Sequence, residues 1–231
     1  MFCHKSIHQN TDSDSHFAEM VIQPHTPGKC KMNTVNSCPV PVITSQFASR
    51  VSLRREIVES FRQYPFHLPA IRNLDSFELH PKITFIIGEN GSGNSTLLEA
   101  IAVSLRFNAE GGSRNFAFGT RQSHSELHRY LRISKGFRRP RDGYFLRAES
   151  FFNVATEIEN LDKEPGFGPP MINSYGFTYL HDQSHGESFM ALLTKRFGGN
   201  GLYVLDEPEA ALSPQRQLAV LTRLHDLRSC S

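Results

Sequence analysis

Residues 88–96, read as Gly88, Glu89, Asn90, Gly91, Ser92, Gly93, Asn94, Ser95 and Thr96, have the types and spacing to hold a phosphate. The pattern G-x-x-x-x-G-K-[ST] lets the backbone curl so that successive N–H groups point into one hollow. A helix that starts there adds the partial positive charge of its N-terminus. Gly88, Gly93 and Ser95 fit the pattern, and the Ser95 hydroxyl is the expected Mg²⁺ ligand. The lysine position holds Asn94. Lysine is a mobile charge that reaches the outer phosphates and follows them into the transition state, whereas asparagine is short and neutral. The substitution predicts weakened nucleotide binding and strongly reduced hydrolysis. The plain structural alternative is a Gly-rich turn with no ligand.

A second chemical stretch is the apolar run 201–205 followed by Asp206, Glu207 and Pro208. A strand of this kind, buried on both faces of a parallel sheet, delivers its C-terminal end to the ligand crevice. Asp206 is then placed to hold Mg²⁺ opposite Ser95, and Glu207 to polarise an attacking water. The alternative is a strand that merely ends in an acidic turn. A third stretch, Ser184, His185, Gly186, Glu187 and Ser188, precedes an apolar-periodic helix over 189–197. Ser184 and Glu187 have capping-box spacing and need do no more than start that helix. The same geometry also suits an anion, and its place shortly before the acidic strand favours that use.

The elements that must position these residues follow from pattern. The run 83–87 reads as a buried strand and 97–103 as the helix after the loop. Leu53, Ile57, Val58 and Phe61 recur at helical spacing; 64–68 and 76–79 read as short strands, 144–148 as another, and 150–160 as a helix. Ser213 and Pro214 are a cap and first-turn pair for a last helix through Leu218, Leu221, Leu224 and Leu227, with His225 inside its pattern. Residues 1–47 are rich in Ser, Thr, Asn, His and Pro without apolar periodicity, and predict a disordered or loosely attached tail. The domain is expected over 48–231.

Composition bounds the rest. At 231 residues the chain can bury one sizeable core. A net charge of +2 says nothing about partners. No apolar run approaches a bilayer span, and the first residues lack a secretory layout, so a soluble cytoplasmic protein is the default expectation. The four cysteines, Cys3, Cys30, Cys38 and Cys230, lie near the two ends, which suits reduced thiols; His25, Cys30 and Cys38 match no zinc spacing. Between 106 and 147, ten Lys or Arg stand against Glu110, Glu126 and Asp142, a local balance of +7. Such a segment could meet a nucleic-acid backbone, but without a recognised binding module the favoured reading is a solvated arm. That arm either pairs with acids elsewhere or approaches the nucleotide's phosphates.

GENGSGNST, QSHGES and LYVLDEPEAALSPQRQ, in this order, resemble the phosphate loop, signature, acidic strand and D-loop of an ABC-class ATPase. The closer similarity is to the soluble "AAA family" predicted ATPases that share this head, over roughly residues 48 to 228. The resemblance implies an α/β P-loop fold with a mainly parallel sheet flanked by helices. It also implies ATP and Mg²⁺, and a head-to-tail homodimer. In that dimer Ser184 and Gly186, flanked by His185 and Glu187, would touch the partner's γ-phosphate, and residues 210–213 would form the D-loop. No Gln-loop residue is assigned near 144–150. The family continues with a strand carrying a switch histidine; none is read here, so the domain is expected to be C-terminally incomplete, with an exposed sheet edge beside the phosphate-loop strand. The implied function is ATP binding with impaired hydrolysis. The alternatives are an inactive nucleotide-binding or interaction module, or the ATP-binding subunit of a transporter.

Overall fold

The computed structural model describes residues 17–22, 46–114, 125–163, 170–175, 184–198, 201–210 and 212–229. Its central sheet has five strands in the order β4-β1-β8-β7-β5. These are β4 (Ile83–Gly88), β1 (Phe17–Ile22), β8 (Gly201–Asp206), β7 (Asp142–Arg147) and β5 (Gly112–Ser113). β1 runs antiparallel to both β4 and β8, and β7 pairs parallel with β8. β4, β8 and β7 therefore point the same way and deliver Gly88, Asp206 and Arg147 to one edge. The expected mainly parallel sheet is corrected to a mixed one. The reason is β1, an antiparallel insert between two codirectional strands, with β5 antiparallel on β7.

β1 also corrects the expectation for residues 1–47. Six of them form a sheet strand, and Gln46 and Phe47 are buried. Alternation had been masked by the polar sequence around it, yet Val21 is buried between Thr84 and Val204. β1 is the one neighbour of β4 among the described residues, and β4 is the edge strand of the sheet, so an edge beside the phosphate loop is present as expected. Cys3, His25, Cys30, Cys38 and Cys230 lie outside the described residues.

A second sheet of three antiparallel strands, β3-β2-β6, combines Ser76–Glu78, Ala48–Leu53 and Leu131–Lys135. The helical spacing from Leu53 onward does not make a helix. Residues 48–53 pair on both sides, with Val51 and Leu53 buried, and only a short 3-10 turn follows over Arg55–Ile57. Residues 64–68 are likewise turns that enter the one-turn helix α1 (Pro69–Arg72), because Pro69 suits a first helical position.

Helix α2 (Asn94–Ser104) is sandwiched between the two sheets. Its Leu97, Leu98 and Ile101 share one core with Val51 and Leu53 on one side and Phe145, Leu202 and Val204 on the other. The opposite face of the large sheet, Tyr144, Leu146, Tyr203 and Leu205, packs on α3 (Phe151–Lys163), α4 (His185–Ala191) and α5 (Pro214–Ser229). β7 and β8 are therefore apolar on both faces, as their unbroken hydrophobic runs require. α4 continues as a π-turn over Leu192–Arg196.

Candidate functional site

The phosphate-loop sequence folds as a strand, a turn and a helix. β4 ends at Gly88, and α2 opens at Asn94. Gly91 and Gly93 have φ of +76° and +97°, left-handed values that favour glycine. Gly93 is constrained twice, since a Cβ there would lie 2.8 Å from the Leu68 side chain. The turn is tied by Ser92 N–H donating to the Glu89 carbonyl at 3.0 Å, and it is docked by Ala70 N–H donating to the Ser92 carbonyl at 3.0 Å. The hollow it forms, about 190 Å³, is lined by Gly88, Glu89, Asn90, Gly91, Gly93, Asn94, Ser95 and Thr96, with Tyr64, Leu68 and Glu207. The Ser92 hydroxyl, outside that lining, is buried without a hydrogen-bond partner among the described residues.

The buried Asn94 side chain turns back over the loop, its amide nitrogen lying where a Cβ on Gly88 would be. It is held against the first glycine and brings no charge to the pocket.

The acidic strand reaches the same place. Asp206 is 4% exposed, and burial pushes its carboxyl up to about 6, while Arg147 and the Ser95 hydroxyl pull it back down. Its Oδ1 is buried with no hydrogen-bond partner. An ionisable oxygen left unpaired at that depth is costly unless a cation completes it. With the Ser95 hydroxyl beside it, the donor set is hard, oxygen-only and suited to Mg²⁺. Among the described residues no group of three or more His, Cys, Asp or Glu could hold a metal by itself, so further oxygens would come from phosphate and water. Glu207 follows at φ +50°, a left-handed conformation uncommon for a side chain of its size. Strain of this sort persists where the surroundings impose it. Here the turn is fixed by Ala210 N–H donating to the Glu207 carbonyl, and by Gln217 Nε2 donating to the carbonyls of Glu209 and Leu212.

Sequence reasoning missed Arg147, which it counted only as one charge of the basic segment. It sits at the end of β7 in register with Asp206. Its Nη1 is 2.7 Å from Oε2 of Glu99 on α2, its Nη2 3.3 Å from Glu149, and its Nε 3.3 Å from Oδ2 of Asp206. One guanidinium thus bridges the phosphate-loop helix to the acidic strand. Glu99 is itself buried and accepts from Ser125 N–H at 3.1 Å. The legible signal was a single arginine closing an apolar strand, in line with a buried glutamate on the loop's own helix. Tyr64, 62% exposed on the pocket rim, was likewise read only as part of a strand.

Ser184, Gly186 and Glu187 are not brought to this pocket. They begin α4, where the Glu187 carboxylate accepts from Ser184 N–H at 3.0 Å and from its hydroxyl at 2.7 Å. These two bonds hold Glu187 below the usual carboxylate range. The expected cap is present. For His185 only the backbone is described, as the first residue of α4. Arg216 of α5 covers Gly186 and lies 3.7 Å from Glu187.

A family model described as an AAA domain matches residues 57–164, which contain the phosphate loop, α2, β6, β7 and α3. With the α/β fold and the loop geometry, this match supports a P-loop ATPase-like family for the chain. The matched span ends before the signature-like segment and the acidic strand. No curated protein and no solved structure matches the chain. Among the described residues, no helix is long and apolar enough to cross a membrane.

Proposed function

We propose that this chain binds ATP with Mg²⁺ as a member of the ABC-type ATPase class, with hydrolysis held down by Asn94. The observation that carries this reading is the convergence of one loop and one strand. Ser95 reaches Asp206, and Glu207 lines the same hollow as the glycine loop. Backbone N–H groups and the N-terminus of α2 would hold the phosphates. Tyr64 offers a ring at the rim on which a base could lie. Ser95 and Asp206 would hold Mg²⁺, which supplies charge neutralisation on the outer phosphates when bound. Glu207 would accept a proton from, and orient, the attacking water. Nothing in the loop replaces the positive charge that Asn94 lacks.

The placement of Ser184, His185, Gly186 and Glu187 away from their own pocket supports a head-to-tail homodimer in which they serve the partner's nucleotide, with residues 210–213 as the D-loop. A cytoplasmic location fits this reading. A second reading, a nucleotide-binding or interaction module without turnover, is favoured by the Asn94 side chain folded onto Gly88.

Mg²⁺-dependent ATP turnover and nucleotide affinity, measured on the chain and on Asn94→Lys, separate the two. Restored turnover, on the order of 100-fold above the parent, supports a silenced enzyme, since electrostatic stabilisation of transferring phosphate has that scale. Binding in both without turnover in either identifies the module. Absence of nucleotide binding in both sinks the proposal.

A further inference from the structure

Two explanations of the basic segment lose ground once it is placed. The first is that its cations pair with acids elsewhere. Arg129 does pair with Glu126, and Arg147 with Glu99, Glu149 and Asp206. Arg106, Arg114, Arg132, Lys135, Arg139 and Arg141 form no ion pair with another described residue. The segment's own Asp142 is taken by Arg196, at 2.7 Å. The stretch 115–124, outside the described residues, contains no Asp or Glu to compensate. The second explanation is that the cations approach the nucleotide. The cluster forms instead at the far end of α2. Lys135 Nζ donates to the Ser104 carbonyl at 3.1 Å, Arg106 follows the last turn, and the Arg114 guanidinium lies 5.2 Å from the Phe107 ring centre. An eleven-residue helix puts that end about 16 Å from the phosphate loop.

These charges also crowd one another. Burial and then Arg106 lower Arg114, and burial, Arg106 and Arg114 lower Lys135. The Arg114 Nε is buried without a hydrogen-bond partner. Asp142 offsets part of this at Arg114, but the cations outnumber that acid, an unfavourable arrangement that an external polyanion relieves. Next to the cluster, in the loop between β6 and β7, Phe137 is 68% exposed, with the Arg138 guanidinium 6.0 Å from its ring centre. An exposed aromatic among arginines is the combination that tracks a phosphate backbone while stacking on an unpaired base.

We propose that the β6–β7 loop, with the C-terminal end of α2, is a binding surface for single-stranded nucleic acid. Five of the six cations without an ion pair among the described residues are arginines, which suit bidentate phosphate contacts, and the exposed apolar group is one ring rather than a helical stripe. Both features favour a nucleic-acid strand over an anionic membrane. The inference does not depend on the nucleotide reading.

The test is fluorescence anisotropy of a labelled 20-nucleotide single strand with the full chain and no ATP. Binding is expected at 50 mM salt and at least tenfold weaker at 200 mM, because several phosphate contacts are released together. Arg139→Gln with Arg141→Gln, in an exposed loop, should weaken binding about tenfold and flatten the salt dependence. Phe137→Ala should weaken it severalfold without changing that slope. Ser95→Ala should leave it unchanged, which separates this surface from the nucleotide pocket. No binding at 50 mM salt, equal binding by the arginine variants, or recruitment only to vesicles containing phosphatidylserine overturns the proposal.

Discussion

In the proposed reading Glu207 would act through conformation as well as charge. Its left-handed backbone lies in the turn after β8, so on that reading the residue would be held in place before any substrate arrives. In the Asn94→Lys background, Glu207→Gln should lower ATP turnover by about 100-fold or more while leaving nucleotide affinity within a few-fold, read by single-turnover and equilibrium assays. Arg147 works differently, as a bridge. Arg147→Gln strands the buried Glu99 and should cost about 3–5 kcal/mol in urea unfolding, and pairing it with Glu99→Gln should cost less than the sum of the two single changes. Asp206 has the opposite sign. Its folded value of about 6 lies above the unfolded value of about 3.9. Between those limits the folded chain keeps a proton that the unfolded chain releases, so stability falls as pH rises through the window. Above it the cost is complete, about 3 kcal/mol. In metal-free buffer Asp206→Asn should therefore raise the thermal midpoint at pH 8 and leave it nearly unchanged near pH 4.

At the scale of elements, the tightest constraints are steric. Gly93→Ala meets both the left-handed φ and the Leu68 side chain, and should lower the thermal midpoint and abolish nucleotide binding by tilting α2. Val21→Asp buries a charge between β4 and β8 and should unfold the chain or reduce its stability by several kcal/mol, checked by circular dichroism. The elements around the site were legible because their signals are local: the glycines of 88–93, the apolar run into Asp206, the Ser184 and Glu187 cap, and Ser213 with Pro214 before α5. What sequence could not give were the non-local pairings. Leu53 and Ile57 mimic helical spacing, but β3 and β6 recruit 48–53 as a strand. Arg147 and Glu99 are 48 residues apart, and only the sheet register brings them together. β1 was hidden for the same reason, since a six-residue strand in polar surroundings shows its partners only in the folded sheet.

For the whole molecule, the proposed head-to-tail pairing makes the two pocket halves meet only between copies. The variant combining Asn94→Lys with Glu207→Gln should elute as a dimer in Mg²⁺ and ATP and as a monomer without them, and Ser184→Arg should keep it monomeric under both conditions. The place of β1 also has a bearing on how the chain is made. β1 leaves the ribosome before both of its partners, and one wall of its slot, β8, is not complete until Asp206. At 5–20 residues per second, that interval is roughly ten to forty seconds. Once made, β4 can pair with β1 at once, but the acidic strand on the other side of β1 is still absent. Contacts of such separation form late, so the pocket should be the last part of the molecule to acquire protection during synthesis.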